Sequence, residues 1–482
     1  MPEAVGVRTP HRPAVGPLGA WIALVAGVLG ALAVIEVVLR VVEGAPPAGW
    51  LHAGAVWVSY DLGVTAVLAV AVAFRLRTPL PTVSAPPSVS VLVAAYDEAE
   101  HIVPTVRALA AQTGVAFELL VGDDGSRDAT FDVLRAAFAL APAGGPLWRG
   151  AVAEGHALTV LRLSHAGKGA TLNALAAHAR NPVLVTVDAD TLPAPHALAR
   201  LAAAFDDPAV TCAAGVVTVR NGRDGWLLRH QSTEYLRTAF VRIGWAALGA
   251  LEQVPGAFTG VRAEAFAAAG GFPTDSLTED YELTYRLLAR GVRDGVVPVI
   301  AAVPGAQVFT EAPRTVAGFV RQRTRWFAGF LGTLARFPAL IGERRAGSFG
   351  VLRLPLKLSD ATLPLLTWAA LLTGLRAASL GASRAALALL ALRAAFDLGT
   401  YLLARAASSH LGDAAASAQV SPGPVVGALT VLTESLGYLW LRQFGALRGW
   451  LWALRRATHW EPSRTPTPPR APRVADVETS PD

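Results

Sequence analysis

Long apolar runs at both ends constrain this chain more than any other feature. Residues 18–42 and 56–74 lie near the start, and residues 354–375, 385–404 and 424–441 lie near the end. A helical membrane span takes about 20 residues, so each run is a candidate. Only 16% of the 482 residues are charged, against about 25% in a typical soluble domain. A signal peptide is the alternative for the first run, but that run is longer than an h-region of about 7–15 residues. Glu36 and Arg40 interrupt its far end, and four residues apart they can pair on one helix face. Lys357 and Asp360 fall inside the run at 354–375, so its first half fits an interfacial position instead. The Phe-rich stretch 326–341 also reads as interfacial.

Cations fix the expected orientation. Arg8, His11 and Arg12 precede the first run, Arg75 and Arg77 follow the second, and Arg40 is the one nearby cation between them. The positive-inside rule puts the N-terminus and the following domain in the cytoplasm, giving a multi-pass protein of the cell (inner) membrane. Three spans after residue 345 would leave the tail outside, whereas Arg455, Arg456 and Arg464 favour a tail inside. One of the three is therefore expected to be interfacial or split. The net charge of +6 is ascribed to cytoplasmic arginine rather than to nucleic acid, since no basic helix or aromatic-interleaved patch is visible. Cys212 is the single cysteine; it excludes an intramolecular disulfide and sits in an apolar run as inert core.

Between the apolar ends the pattern changes. Residues 78–87 are Pro-rich and read as a linker. Strands are expected at 88–95, 118–122, 158–163 and 182–187, with helices at 101–112, 129–140 and 169–179. This alternation predicts a mostly parallel sheet with helices on both faces. Ligands of such sheets sit at the carboxyl ends of the strands. Acidic clusters occur there.

Asp123-Asp124-Gly125-Ser126-Arg127-Asp128 follows a strand. Its carboxylates can accept hydrogen bonds from a base N–H and a ribose hydroxyl; an Asp-rich turn with a helix cap is the structural alternative. Asp188-Ala189-Asp190 follows another strand and can hold Mg2+ or Mn2+ against a diphosphate, because hard cations take oxygen ligands; a polar loop is the alternative. Thr278-Glu279-Asp280 opens a helix expected from residue 281, as a cap or as a general base. Gln322-Arg323-Thr324-Arg325-Trp326 offers guanidinium groups for a diphosphate and an indole for a sugar ring. A membrane-anchoring Arg/Trp cluster is its alternative.

In order, the chain offers Asp-Asp-Gly-Ser, Gly-Lys-Gly-Ala-Thr-Leu-Asn at 167–173, Asp-Ala-Asp, Thr-Glu-Asp and Gln-Arg-Thr-Arg-Trp. With Ala95-Tyr96-Asp97-Glu98, Gly270-Gly271-Phe272 and Thr310-Glu311-Ala312-Pro313, this series resembles the family 2 processive glycosyltransferases, such as cellulose, chitin, hyaluronan and poly-N-acetylglucosamine synthases. The resemblance covers residues 88–329. It implies an α/β GT-A fold, a Rossmann-like mostly parallel sheet, with α-helical transmembrane segments on both sides. The expected organisation is a cytoplasmic tail (1–17), two transmembrane helices (18–77), the linker, the GT-A domain (88–329), an interfacial region (330–350), C-terminal helices (351–452) and a disordered tail (453–482).

The resemblance also implies residue roles. Ala95, Glu98, Asp123 and Asp124 would line the nucleotide pocket, and Lys168 would approach the phosphates or ribose. Asp188 would contact the nucleotide and, with Asp190, the metal, Mg2+ or Mn2+. Asp280 would be the catalytic base. Glu279, Gln322 and Trp326 would contact the acceptor, and Arg323 and Arg325 the leaving diphosphate. The implied reaction is inverting transfer from a UDP-sugar, with UDP-GlcNAc or UDP-glucose favoured, to a growing β-linked polysaccharide. Single addition to a membrane lipid is the alternative, and a non-catalytic binder of nucleotide sugars or exported polymer is the reading from another class. Implied partners are the donor, a glycan or lipid acceptor and membrane lipids; the sequence does not identify an export partner. Two positions depart from the family pattern: Asp97, where Asn is frequent, and Gly169, where Ala is more usual.

Overall fold

Valines at alternate positions decide the centre of the fold. In β1 (Val89–Ala95), Val89, Val91 and Val93 turn to one face and Leu92 to the other, all fully buried. A strand buried on both faces is what a parallel sheet covered by helices requires. The computed structural model describes residues 49–77, 86–152, 156–379, 383–411 and 414–455, preceded by four single helical positions, Val25, Leu29, Leu32 and Glu36. The rest of the first apolar run, linker residues 78–85 and the tail from 456 lie outside the described residues.

The remaining strands are β2 (Phe117–Asp123), β3 (Ala141–Pro142), β4 (Leu147–Ala151), β5 (Ala157–Arg162), β6 (Val183–Asp188), β7 (Leu192–Pro193), β8 (Val210–Val219), β9 (Phe258–Arg262) and β10 (Val299–Thr310). They form one sheet in the order β3-β4-β5-β2-β1-β6-β9-β8-β10-β7. Strands β5, β2, β1 and β6 run parallel, and β8 and β10 pair in parallel. Strand β9 lies antiparallel between β6 and β8, and the β3–β4 hairpin extends β5 antiparallel. The sheet is therefore mixed, with the expected parallel block at its centre.

In chain order the helices are α1 (Gly49–Arg77), α2 (Ile102–Ala110), α3 (Thr130–Ala137), α4 (Lys168–Ala176), α5 (Ala197–Ala203), α6 (Trp226–Ala247), α7 (Ala263–Ala268), α8 (Glu279–Asp294), α9 (Val316–Arg336), α10 (Leu354–Ser379), α11 (Ser383–Leu411), α12 (Ala414–Val420), α13 (Pro424–Leu432) and α14 (Tyr438–Leu454). Helices α2, α3 and α5 cover one face of the sheet. Helices α4, α6, α7 and α8 cover the other, joined there by Leu68, Ala71 and Val72 of α1. The core thus continues from the sheet into α1, the helix of the second apolar run. Cys212 is fully buried in it, where burial pushes its thiol up to about 12.

Among the described residues, Val58–Arg77 and Leu387–Ser408 are long and apolar enough to cross a membrane, and α13 with the following turn forms a third such length with α14 only across a 54° bend. The run expected at 424–441 is thus broken in two. Helix α10 does not join them. Its start is tied to Glu252, which follows α6: Lys357 in its first turn pairs with Glu252 at 3.3 Å and with Asp360 at 3.0 Å, and Arg353 just before it holds Glu252 at 2.6 Å. Burial opposes ionisation of Glu252, yet these cations bring its carboxyl down to about 2. Helix α9 is a single helix from Val316 to Arg336, so the stretch 326–341 expected to be interfacial begins in its second half.

Candidate active site

Three acidic motifs converge where the parallel strands end. Ala95 closes β1 and Asp123 closes β2, paired in register, and Asp188 closes β6 beside Ala94. Gly125 then turns the chain with φ +69°, and a side chain there would stand 2.7 Å from the His165 backbone nitrogen, so glycine is required twice over.

This turn consumes most of its own carboxylates. Asp123 accepts from the Ser126 amide at 3.1 Å. Asp124 accepts from the amides of Ala166 and Gly167 at 2.9 and 3.0 Å, and His165 Nδ1 stands 3.0 Å from it. Both aspartates are almost fully buried. Asp97 sits in the left-handed region at φ 55°, which Asp and Asn tolerate best after glycine. Its carboxylate accepts from the Arg127 amide at 2.7 Å, a bond that an Asn oxygen could equally accept. Glu98 pairs with His101 at 3.1 Å, and His101 stands 4.0 Å from Glu311. Above the turn, the Tyr96 and His165 rings lie 4.3 Å apart.

Lys168, the first residue of α4, bridges two motifs. Its Nζ donates to Asp188 at 2.7 Å and meets Glu279 at 2.9 Å. Burial alone would lower the Lys168 pKa, but Asp188, Glu279 and Asp280 hold it well above the usual value. Asp280 accepts from the amides of Gly256 at 2.7 Å and Tyr281 at 2.9 Å. Burial, then the charge of Glu279, raise its pKa against the opposing pull of Lys168. Burial pushes Glu279 the same way, but Lys168 and Arg325 overcome it and hold that carboxyl below the usual range. The two neighbouring acids are thus driven apart, the pattern expected of groups with different roles.

Asp190 accepts from the hydroxyls of Thr310 at 3.1 Å and Thr191 at 3.2 Å. Among the described residues no cluster of three or more His, Cys, Asp or Glu side chains has the spacing of a metal site. Asp188 and Asp190 supply two carboxylates, which suits a cation whose other ligands are water and substrate phosphates.

The arginines of α9 separate. At 3.6 residues per turn, positions two apart differ by about 200° around a helix. Arg325 faces Leu277 and donates to its carbonyl at 3.1 Å. Arg323 is buried on the other side, bound to Glu234 of α6 at 2.8 Å. The structure therefore does not bring Arg323 to the site. Gln322 and Trp326, one turn apart, share a face, and the buried Gln322 Oε1 accepts no hydrogen bond. Sequence reasoning missed the Gly256 amide, which leaves no side-chain signal. It also gave no role to Thr310, although Thr310-Glu311-Ala312-Pro313 was visible as a motif.

The same region is shared with known proteins. Residues 90–268 match the model described as glycosyl transferase family 2, and residues 183–401 match glycosyl transferase family group 2. An N-acetylglucosaminyltransferase of Rhizobium leguminosarum bv. viciae is 30% identical over 273 residues, 54% of this chain and 59% of that protein. A poly-beta-1,6-N-acetyl-D-glucosamine synthase of Staphylococcus aureus (strain COL) is 26% identical over 244 residues, covering 50% and 54%. The chain thus spans little more than half the length of these two relatives. A mannosyltransferase from Pyrobaculum calidifontis, solved with GDP-Man and Mn2+, superposes with a TM-score of 0.52 at 21% identity, covering 84% of this chain and 99% of that one. At that identity the likeness speaks to the fold, GT-A.

Proposed function

The chain carries glycosyltransferase family 2 domains within residues 90–268 and 183–401, and from that premise we propose that it is an inverting transferase extending a β-linked glycan from a UDP-sugar. One observation carries the reading: a single ammonium, Lys168, spans from Asp188 at the strand ends to Glu279 beside Asp280. A donor phosphate drawn to Lys168 would lie next to the carboxylate suited to take a proton.

In the proposed reaction an acceptor hydroxyl forms a bond to C1 of the sugar as the C1–phosphate bond breaks. The hydroxyl proton passes to Asp280, and the electron pair leaves on the diphosphate. The two backbone amides on Asp280 fix its orientation, and burial with Glu279 raises its basicity. Lys168 and Arg325 counter charge on the diphosphate, an electrostatic contribution that needs no reorganisation. Gln322 and Trp326 meet the acceptor. Ala95 and Glu98 border the nucleotide pocket, while Asp123 and Asp124 shape it by holding its loop. Asp190 with Asp188 would hold Mg2+ or Mn2+, which would supply Lewis-acid neutralisation of the diphosphate.

The names of the two bacterial relatives favour N-acetylglucosamine as the sugar and a polymer as the product. The apolar helices Val58–Arg77 and Leu387–Ser408, with Arg75 and Arg77 ending the first, favour a multi-pass enzyme working at the cytoplasmic face of the membrane. The test is a donor screen with the purified full chain, comparing UDP-GlcNAc and UDP-glucose and sizing the labelled product. A polymer from UDP-GlcNAc supports the reading. A single-sugar glycolipid replaces it with lipid glycosylation, and no turnover of either donor rejects it.

A further inference from the structure

Arg323 stands in the Gln322–Trp326 segment yet takes no part in the proposed chemistry. It is 7% exposed. Its guanidinium donates to Glu234 of α6 at 2.8 Å and lies 3.5 Å from the Tyr438 hydroxyl of α14. That hydroxyl donates to the same Glu234 carboxylate. Two rings of α9 enclose the guanidinium, Phe319 at 4.7 Å and Trp326 at 4.4 Å, and its Nε–H finds no acceptor. Helix α14 reaches this point because Gly445 has no side chain: a Cβ there would stand 2.6 Å from the Arg323 Cβ, and one at Gly449 would stand 2.9 Å from the Phe327 Cβ. Glu234 is also approached by Arg442 at 3.8 Å, and Arg442 stands 3.5 Å from Glu434, which binds Arg237. Each charge of this cluster, Glu234, Arg237, Arg323, Glu434 and Arg442, has an opposite neighbour, as burial demands.

We propose that Arg323 is a positioning residue, not a phosphate ligand: held by Glu234 and Tyr438, its guanidinium plane sets the angle of the Trp326 indole and so aligns the acceptor. The proposal rests on the reading of Trp326 as an acceptor contact. Its consequence is a change of partition. When the indole turns, donor binding survives but the acceptor hydroxyl is misaligned, and displacements of about 1 Å can cost about 100-fold in rate. Water then attacks C1 instead, its oxygen forming the new bond, its proton going to Asp280 and the nucleoside diphosphate leaving as before. Lysine would keep the ion pair to Glu234 but cannot stack in a plane.

The experiment compares full-length enzyme with Arg323→Lys and Tyr438→Phe in three measurements: UDP affinity with Mn2+ present, the fraction of consumed UDP-sugar transferred rather than hydrolysed, and Tm. The expected result is UDP affinity within twofold of the parent, a transferred fraction reduced about tenfold in Arg323→Lys and less in Tyr438→Phe, and Tm nearly unchanged. A tenfold loss of UDP affinity in Arg323→Lys would make it a phosphate ligand and overturn the proposal. Unchanged partition overturns it, as does activity loss that simply follows a lowered Tm in both variants. If the parent enzyme neither binds UDP nor consumes a UDP-sugar, the functional reading falls and takes this one with it; an active parent with either of the other results removes this proposal alone.

Discussion

Lys168 Nζ and Glu279 Oε1 meet at 2.9 Å, joining the first residue of one helix to the first residue of another. Burial is the largest cause of the raised Asp280 pKa, and this contact adds to it in both directions, since Glu279 raises and Lys168 lowers its proton affinity.

Asp280→Asn keeps the size of the side chain but only one of the two amide hydrogen bonds that the carboxylate accepts, and it cannot take a proton. Transfer is expected to fall about 10²–10⁴-fold, the usual worth of a positioned base, while UDP affinity stays within a few-fold. A variant that turns over like the parent would remove Asp280 from the mechanism.

Glu279→Gln is expected to move the acid limb of kcat/KM to lower pH. As the proposed base Asp280 would have to be ionised, so activity would fall as pH drops through its pKa, which lies above the usual Asp value of about 3.9. Removing the Glu279 charge removes one cause of that elevation. Stability has its own sign. Glu279 is depressed, so its contribution is present above about pH 4.3 and is lost as pH falls through its folded pKa. The Tm gap between variant and parent should therefore close at low pH. A superimposable pH profile would refute the coupling.

Gly169→Ala introduces the residue more usual in the resembled family and is expected to be harmful here. A Cβ at 169 would stand 2.3 Å from the Pro273 carbonyl oxygen, backbone that cannot rotate away. Overpacking of this kind costs about 1–3 kcal/mol and would displace Lys168 next door. A thermal melt with parallel activity assays checks it; parent-like values in both would show that the 273 loop yields freely.

Chelation by EDTA is expected to stop transfer and weaken UDP binding, with Mn2+ or Mg2+ restoring both. Asp190→Asn should blunt the response of UDP affinity to Mn2+. Full activity and unaltered UDP binding in excess EDTA would reject the metal role of Asp190 and Asp188.

The centre of the fold was legible because its signals are local. Apolar runs ending in Asp123 and Asp188 became β2 and β6, with bounds within a residue or two. The helices expected from residues 169 and 281 start one and two residues earlier, at Lys168 and Glu279. What stayed hidden depends on tertiary pairing. Strand β9 is five residues long and finds its antiparallel place only through β6 and β8. The opposed faces of Arg323 and Arg325 follow from helical geometry, which the string Gln-Arg-Thr-Arg-Trp does not display by itself. The docking of α10 through Glu252 requires a partner a hundred residues away, which no window of sequence contains.

Because β9 runs against its neighbours, the chain leaves it at the edge remote from Asp188 and must come back. It returns along α4, where Asn173 clamps Phe272 with bonds of 2.9 Å in both directions, before reaching Thr278. Helix α4 is therefore a common rail: the cation at its tip and the strand-end-facing carboxylate that follows the return path are gauged from one body.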